Sequence, residues 1–138
     1  MISRIGTHSS LQGHRRRRAL RFSGVSVRAM GEVKHLCLVK FKEGVAVDDI
    51  LKGMTGLVSE MDMVKSFEWG QDMLNQEMLT QGFTHVFSLT FASADDLTSY
   101  MGHERHAAFA GTFMAALEKV IVIDFPVVTA KPSPPPEA

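Results

Sequence analysis

Four histidines and the single tyrosine of this 138-residue sequence are the side chains whose types and spacing could carry chemistry. His35 and His85 each sit in an alternating apolar run, residues 33–41 and 83–91, on the side that alternation assigns to the helices. Tyr100, His103 and His106 follow at three-residue intervals. His106 precedes Phe109 and Ala110 by three and four residues, in line with an apolar helical stripe. A sheet covered on one face by helices would bring these groups toward one pocket. Histidine titrates close to physiological pH, so it can take a proton from carbon or oxygen and return it. A tyrosine hydroxyl can hydrogen-bond a carbonyl whose charge grows as an enolate forms. Cys37, Val39, Phe87 and Phe109 would give such a pocket apolar walls suited to an aromatic or acyl ligand. Taken singly, each histidine also fits a core residue bonded to backbone.

Metal chemistry is a poorer match. His103-x-x-His106 is spaced for two ligands on one helical turn, but zinc calls for a third protein ligand and no His-Glu-x-x-His pair is present. Cys37 is the only cysteine, which excludes an intramolecular disulfide and a cysteine-rich zinc site. Within its apolar run it reads as a small buried hydrophobe rather than a nucleophile. No metal and no cofactor is expected.

The elements that must position these residues follow from periodicity. Residues 33–41 are rich in β-formers and apolar on both faces, with Val33, His35, Cys37, Val39 and Phe41 on one and Leu36 and Leu38 on the other. After a turn at Lys42-Glu43-Gly44, Asp48 or Asp49 is expected to cap a helix whose apolar positions are Ile50, Leu51, Met54, Leu57, Val58 and Met61. Gly53 and Gly56 weaken that helix but let it pack closely. Residues 64–70 read as a second strand and residues 72–81 as a long polar loop. Residues 83–91 alternate as a third strand. Ser93-Ala94-Asp95-Asp96 opens a short helix ending near Met101-Gly102. A further helix carries Phe109, Ala110, Phe113 and Leu117 as one stripe, and residues 119–125 close as a β-branched strand. The order β-α-β-β-α-α-β defines an α+β domain. Its first and last strands are apolar on both sides, while helices can cover only one. Burial of the second face comes most simply from a second copy, so a homodimer is expected.

The formal net charge of zero conceals a separation. Seven of the 15 basic residues are arginines within residues 1–31, a stretch without Asp or Glu, so the remainder carries a net charge of about −7. An acidic domain argues against nucleic acid, and the apolar runs are of strand length, which argues against a membrane span. Residues 1–30 are rich in Arg and Ser and lack an apolar centre, the composition of a cleavable organelle transit peptide. Ser26-Val27-Arg28-Ala29-Met30 resembles a stromal processing site, which favours the chloroplast over the mitochondrion. The run Arg15, Arg16, Arg17, Arg18 also fits a solvated tail or a nuclear-localisation patch. Residues 31–128 form the domain, and residues 129–138 a Pro-rich tail expected to be disordered.

Several separate motifs resemble the plant stress-responsive A/B-barrel family, the dimeric α+β barrels. They are Val33-Lys34-His35-Leu36 with Lys40-Phe41-Lys42; Trp69-Gly70-x-Asp72; Gly82-Phe83-Thr84-His85-Val86-Phe87 with Thr90-Phe91; Tyr100-x-x-His103-x-x-His106; and the final stretch 120–124. The resemblance implies a ferredoxin-like protomer whose sheet pairs with a second copy to make the barrel. It extends more distantly to olivetolic acid cyclase, a polyketide cyclase acting by aldol condensation. By that likeness His106 would be the general base and Tyr100 the carbonyl hydrogen-bond donor, with His35 and His85 near the pocket. The sequence departs from the family at two points. The usual His-Pro-x-His becomes His103-Glu104-Arg105-His106, and the stretch from Phe41 to Leu57 is about one helical turn short, which is expected to reshape or partly close the pocket.

Two functions follow as expectations. The first is a homodimeric stress protein binding a small hydrophobic or aromatic metabolite without catalysis. The second is a polyketide cyclase-like lyase. A sealed, side-chain-filled space between helices and sheet would leave the second without a site.

Overall fold

The computed structural model describes residues 31–137, together with the backbone of two short strands, β1 (Leu20–Phe22) and β2 (Val25–Val27). These two pair antiparallel, with Leu20 opposite Val27. They belong to a unit made of residues 1–29 and 128–138, and residues 30–127 form the other. The transit peptide expected over residues 1–30 otherwise lies outside the described residues. Residues 127–137 contain no helix or strand.

In the larger unit, strand β3 (Val33–Phe41) is bonded along both edges. Its neighbours are β5 (His85–Phe91) and β6 (Leu117–Pro126), and β4 (Val64–Gln71) lies outside β5, giving the order β4-β5-β3-β6 with every pair antiparallel. Val33, His35, Cys37, Val39 and Phe41 are buried while the residues between them are only half-buried. Helices α1 (Val47–Ser59), α3 (Ala94–Gly102) and α4 (Glu104–Ala115) cover the buried side, and the single-turn α2 (Glu77–Thr80) lies in the segment between β4 and β5 with no buried residue. Ile50, Met54 and Leu57 of α1 and Phe113 of α4 drop onto the sheet, where Val39, Phe87 and Phe91 are fully enclosed.

Local chemistry corrects several expected boundaries. Neither Asp48 nor Asp49 caps α1; Ala46 does so with no side-chain bond, and both aspartates lie in the first turn, where the helix dipole favours them. Ser93 does cap α3, its hydroxyl accepting from the Asp96 amide at 3.1 Å. The loop expected over 72–81 contains α2, which alternation could not reveal because Met78 and Leu79 are exposed. It ends on Gln81 and Gly82, both at positive φ. The ladder of β5 begins at His85 rather than Phe83, because the Phe83 amide donates to Thr80 and closes the helical turn. Strand β6 begins at Leu117, not residue 119. Leu117 therefore leaves the helical stripe assigned to it, yet stays buried opposite Phe41, across a register shift next to Lys40.

Among the described residues α1, α3 and α4 all pack on the inner face, and only the 72–81 segment lines a hollow on the outer one. Leu38 stands opposite both Val86 and Ile121, and Leu36 opposite Ile123, which makes one apolar patch. Ile121 is 41% exposed, Ile123 49% and Phe125 37%. Among the described residues no helix is long and apolar enough to cross a membrane.

Truncating the enclosed Phe87 to Ala should cost about 3–5 kcal/mol, measured by urea unfolding. Met78→Ala, at a side chain left almost wholly in water, should change stability by less than about 0.5 kcal/mol. Equal effects would contradict this assignment of the core.

Candidate functional site

Between the sheet and helix α4 lies a cavity of about 260 Å³. Strand β3 supplies His35 and Cys37, β5 supplies Phe87 and Leu89, and the end of α3 supplies Tyr100 and Met101. Helix α4 lays His106, Phe109, Ala110, Phe113 and Met114 along the other wall. The alternation of β3 and the helical repeat of α4 thus converge on the same space. Met101, Met114 and Val122, each roughly half exposed, line it toward the solvent.

Of the residues singled out from sequence, Tyr100, His106, His35, Cys37, Phe87 and Phe109 line this cavity, and Val39, His85 and His103 do not. Val39 is fully enclosed in the core. His85 lies two residue pairs along the sheet from Cys37, beside Phe41 and Trp69, with Thr84 Oγ1 at 2.8 Å from its Nδ1. It lines a separate hollow of about 570 Å³, formed by the outer-face residues Leu38, Val86 and Ile121 with the 72–81 segment. His103 is turned to structure, its Nδ1 accepting from the Arg105 amide at 3.1 Å as the cap of α4. Glu104 occupies the first helical position, which tolerates proline and an acidic residue equally well. The departure from His-Pro-x-His therefore keeps the turn. Arg105 then pairs with Glu60, just past the end of α1.

The Tyr100 and His106 rings meet with centroids 4.6 Å apart. Nδ1 of His106 is buried and has no hydrogen-bond partner among the described residues. Burial holds the His106 ring below the usual histidine value, the nearby His35 lowers it further, and the Met101 backbone offsets part of this. The ring is thus a neutral imidazole at pH 7, able to accept a proton. Burial, assisted by Cys37, pushes the Tyr100 hydroxyl up to about 12, so it stays a donor. Burial and then Asp124 push the Cys37 thiol up to about 11, which leaves no thiolate for nucleophilic attack.

A residue that sequence reading missed completes the arrangement. Asp124 of β6 stands opposite His35, and its Oδ1 accepts from His35 Nδ1 at 2.5 Å. That bond fixes the tautomer, so Nε2 of His35 faces the Cys37 thiol at 3.6 Å. The available signal was an acidic residue between Ile123 and Phe125 in an otherwise apolar strand. Its partner depended on a register that sequence does not print.

A four-stranded antiparallel sheet with helices packed on one face, and a His/Tyr-lined space between the layers, defines a ferredoxin-like α+β protomer. The chain belongs to the stress responsive A/B barrel domain (Dabb) family, whose model matches residues 33–127. A stress-response A/B barrel domain-containing protein of Arabidopsis thaliana is 50% identical over 100 residues, covering 72% of this chain and 90% of the relative. Olivetolic acid cyclase of Cannabis sativa is 29% identical over 96 residues, covering 67% and 94%. Among solved structures, a hydroxynitrile lyase from Passiflora edulis matches with a TM-score of 0.66 at 25% identity, covering 75% of this chain and 98% of its own. A protein from Thermobifida fusca described as dimeric and ferredoxin-like matches at 0.61 and 15% identity, covering 78% and 96%, which shows the shared fold.

The buried histidines give stability a definite pH dependence. Burial lowers both His85 and His106, so the unfolded chain binds protons that the native chain refuses. Their contribution is fully present above the unfolded value of about 6.5 and is lost as pH falls through their lower native values. Urea midpoints should therefore fall from pH 7.5 to pH 5. His106→Gln should remove part of that slope, and an unaltered slope would contradict the buried neutral ring.

Proposed function

We propose that this chain is one half of a homodimeric A/B-barrel protein that binds a small hydrophobic or aromatic metabolite between sheet and helices. The observation that carries the reading is the apolar cavity with Tyr100, His106 and His35 in its walls. Its volume of about 260 Å³ falls just below the range of about 300–1,000 Å³ usual for ligand sites, which favours a single ring or a short acyl chain. Three polar groups in a greasy space fix orientation rather than supply most of the affinity. Mass spectrometry of ligands co-purifying with the native protein tests this. A small apolar compound lost on Phe113→Trp, which fills the cavity, is the expected result, and a compound retained by that variant would place binding elsewhere.

A second reading is favoured by one specific feature, the unpartnered Nδ1 of His106 beside Tyr100. In a cyclase-like lyase, His106 would take a proton from the carbon next to a carbonyl, and Tyr100 would donate to the oxygen as charge develops. The likeness to olivetolic acid cyclase supports this, and so does the structural match to a hydroxynitrile lyase. With a polyketide thioester as substrate, His106→Ala should cut turnover by about 10²–10⁴-fold. Tyr100→Phe should reduce kcat more than it raises KM, and rates unchanged in both variants would eliminate the roles.

Dimerisation is read from the outer sheet face, where Leu36, Leu38, Ile121 and Ile123 form an apolar patch with Ile121 and Ile123 exposed among the described residues. The hollow of about 570 Å³ belongs to the same side and is best filled by the second copy. Ile121→Asp should convert a dimer to a monomer in analytical ultracentrifugation, and a monomeric parent chain would end the reading. Delivery to the chloroplast remains part of the proposal, resting on the acid-free, Arg-rich residues 1–30.

A further inference from the structure

Phe109 separates two hollows. On one side is the cavity that holds Tyr100 and His106. On the other a groove of about 450 Å³ runs between α1 and α4, with Lys52, Gly53, Gly56, Glu60 and Arg105 along it. Among the described residues, Phe109 alone is common to the walls of both. Gly53 has no positive φ, so its missing side chain, not its backbone freedom, is what matters there. A Cβ at Gly53 would come within 2.9 Å of Phe109 Cε1, closer than real carbon contacts allow. A Cβ at Gly56, three residues along the same helix, would meet nothing within 4 Å. The Phe109 ring therefore leans into a notch that glycine alone provides, stacked against Phe113 with centroids 5.8 Å apart.

We propose that Gly53 and Phe109 form a size-setting partition, whose position fixes the length of ligand the cavity accepts and whose displacement joins cavity and groove into one channel. The inference rests on the cavity being the ligand site. The channel's inner part is apolar, and its outer part carries the cations of Lys52 and Arg105, the latter already paired with Glu60. The ligand class it suits is a ring or acyl chain with an anionic end, the apolar part inside and the anion toward Lys52. Seated in its notch, the ring leaves the cavity its full width. Pushed out of the notch by a methyl group, it intrudes on the space beside His106.

The test uses the full chain and straight-chain carboxylates from hexanoate to dodecanoate as probes, followed by calorimetry. Gly111→Ala, in the helix that carries Phe109, gains the same helix propensity as Gly53→Ala, meets nothing within 4 Å and lines neither hollow, so it controls for effects on helix stability. Gly111→Ala should bind the series as the parent does. Gly53→Ala should lose about tenfold or more in affinity for the longest chain that the parent accepts. Phe109→Ala, or Phe109→Leu if the first fails to fold, should accept longer chains than the parent. A Gly53→Ala profile identical to that of Gly111→Ala would overturn the partition. A second readout needs no ligand: with the ring removed, water enters, and the NMR titration midpoint of His106 should rise toward the ordinary histidine value. An unchanged midpoint in both Phe109 variants would also overturn it. If the parent binds no carboxylate of the series, the ligand reading of the cavity falls, and the His106 titration alone then decides the partition.

Discussion

Strand β3 is hydrogen-bonded along both edges, so each of its side chains is committed to one of two faces with no freedom to turn aside. Everything else in the protomer follows from that commitment. The odd-numbered face holds Val33, His35, Cys37, Val39 and Phe41, and it recruits the apolar stripes of α1 and α4. The even-numbered face holds Leu36 and Leu38, and among the described residues α1, α3 and α4 all pack on the other side. A single strand thus specifies a core, a cavity wall and an apolar outer surface, because a period of two allows three roles to be written in nine residues.

The fold was legible for the same reason. Period-two runs in β3 and β5, the period-3.6 apolar positions of α1 and the Ser93 cap are local signals backed by local physics. Where the start of β5 departed from those signals, another hydrogen bond had taken over: the Phe83 amide closes the turn that ends α2, and the strand begins two residues later than expected. The site was legible in type but not in membership. Alternation assigned His35 and His85 to the same face correctly, yet face alone does not give position along the strand. Separation along the ladder sends His85 to the Phe41 and Trp69 end. His103 shares the three-residue spacing of Tyr100 and His106, but the helix start claims its ring nitrogen. Asp124 was invisible as a partner because only strand pairing brings residues 89 positions apart into contact.

Burial does opposite things to the two groups at the centre of the cavity. It weakens His106 as a base while keeping it neutral, and it strengthens the hold of Tyr100 on its proton. Both effects leave the two groups uncharged at neutral pH, one able to accept a proton and the other to donate a hydrogen bond. The aspartate, by contrast, sits at the solvent side of His35, with its side chain 42% exposed. The carboxylate is therefore left in partial contact with water, while the ring it holds is enclosed.

The register shift beside Lys40 sets the phase of the whole last strand. Leu117 faces inward opposite Phe41, while Lys119 stands opposite Lys40 on the outer face, so Glu118 is the extra residue that reverses the count. With that reversal, Val120, Val122 and Asp124 point toward the helices and Ile121, Ile123 and Phe125 point away. Pair the same residues without that bulge while Leu117 keeps its place, and the assignment inverts. Isoleucines would crowd the cavity, the aspartate would stand in the middle of the apolar outer face, and His35 would lose its acceptor. One irregular step in the ladder, marked by the 3.4 Å pair of Lys40 with Glu118, therefore decides which of two alternating messages in the final strand is read as chemistry and which as surface.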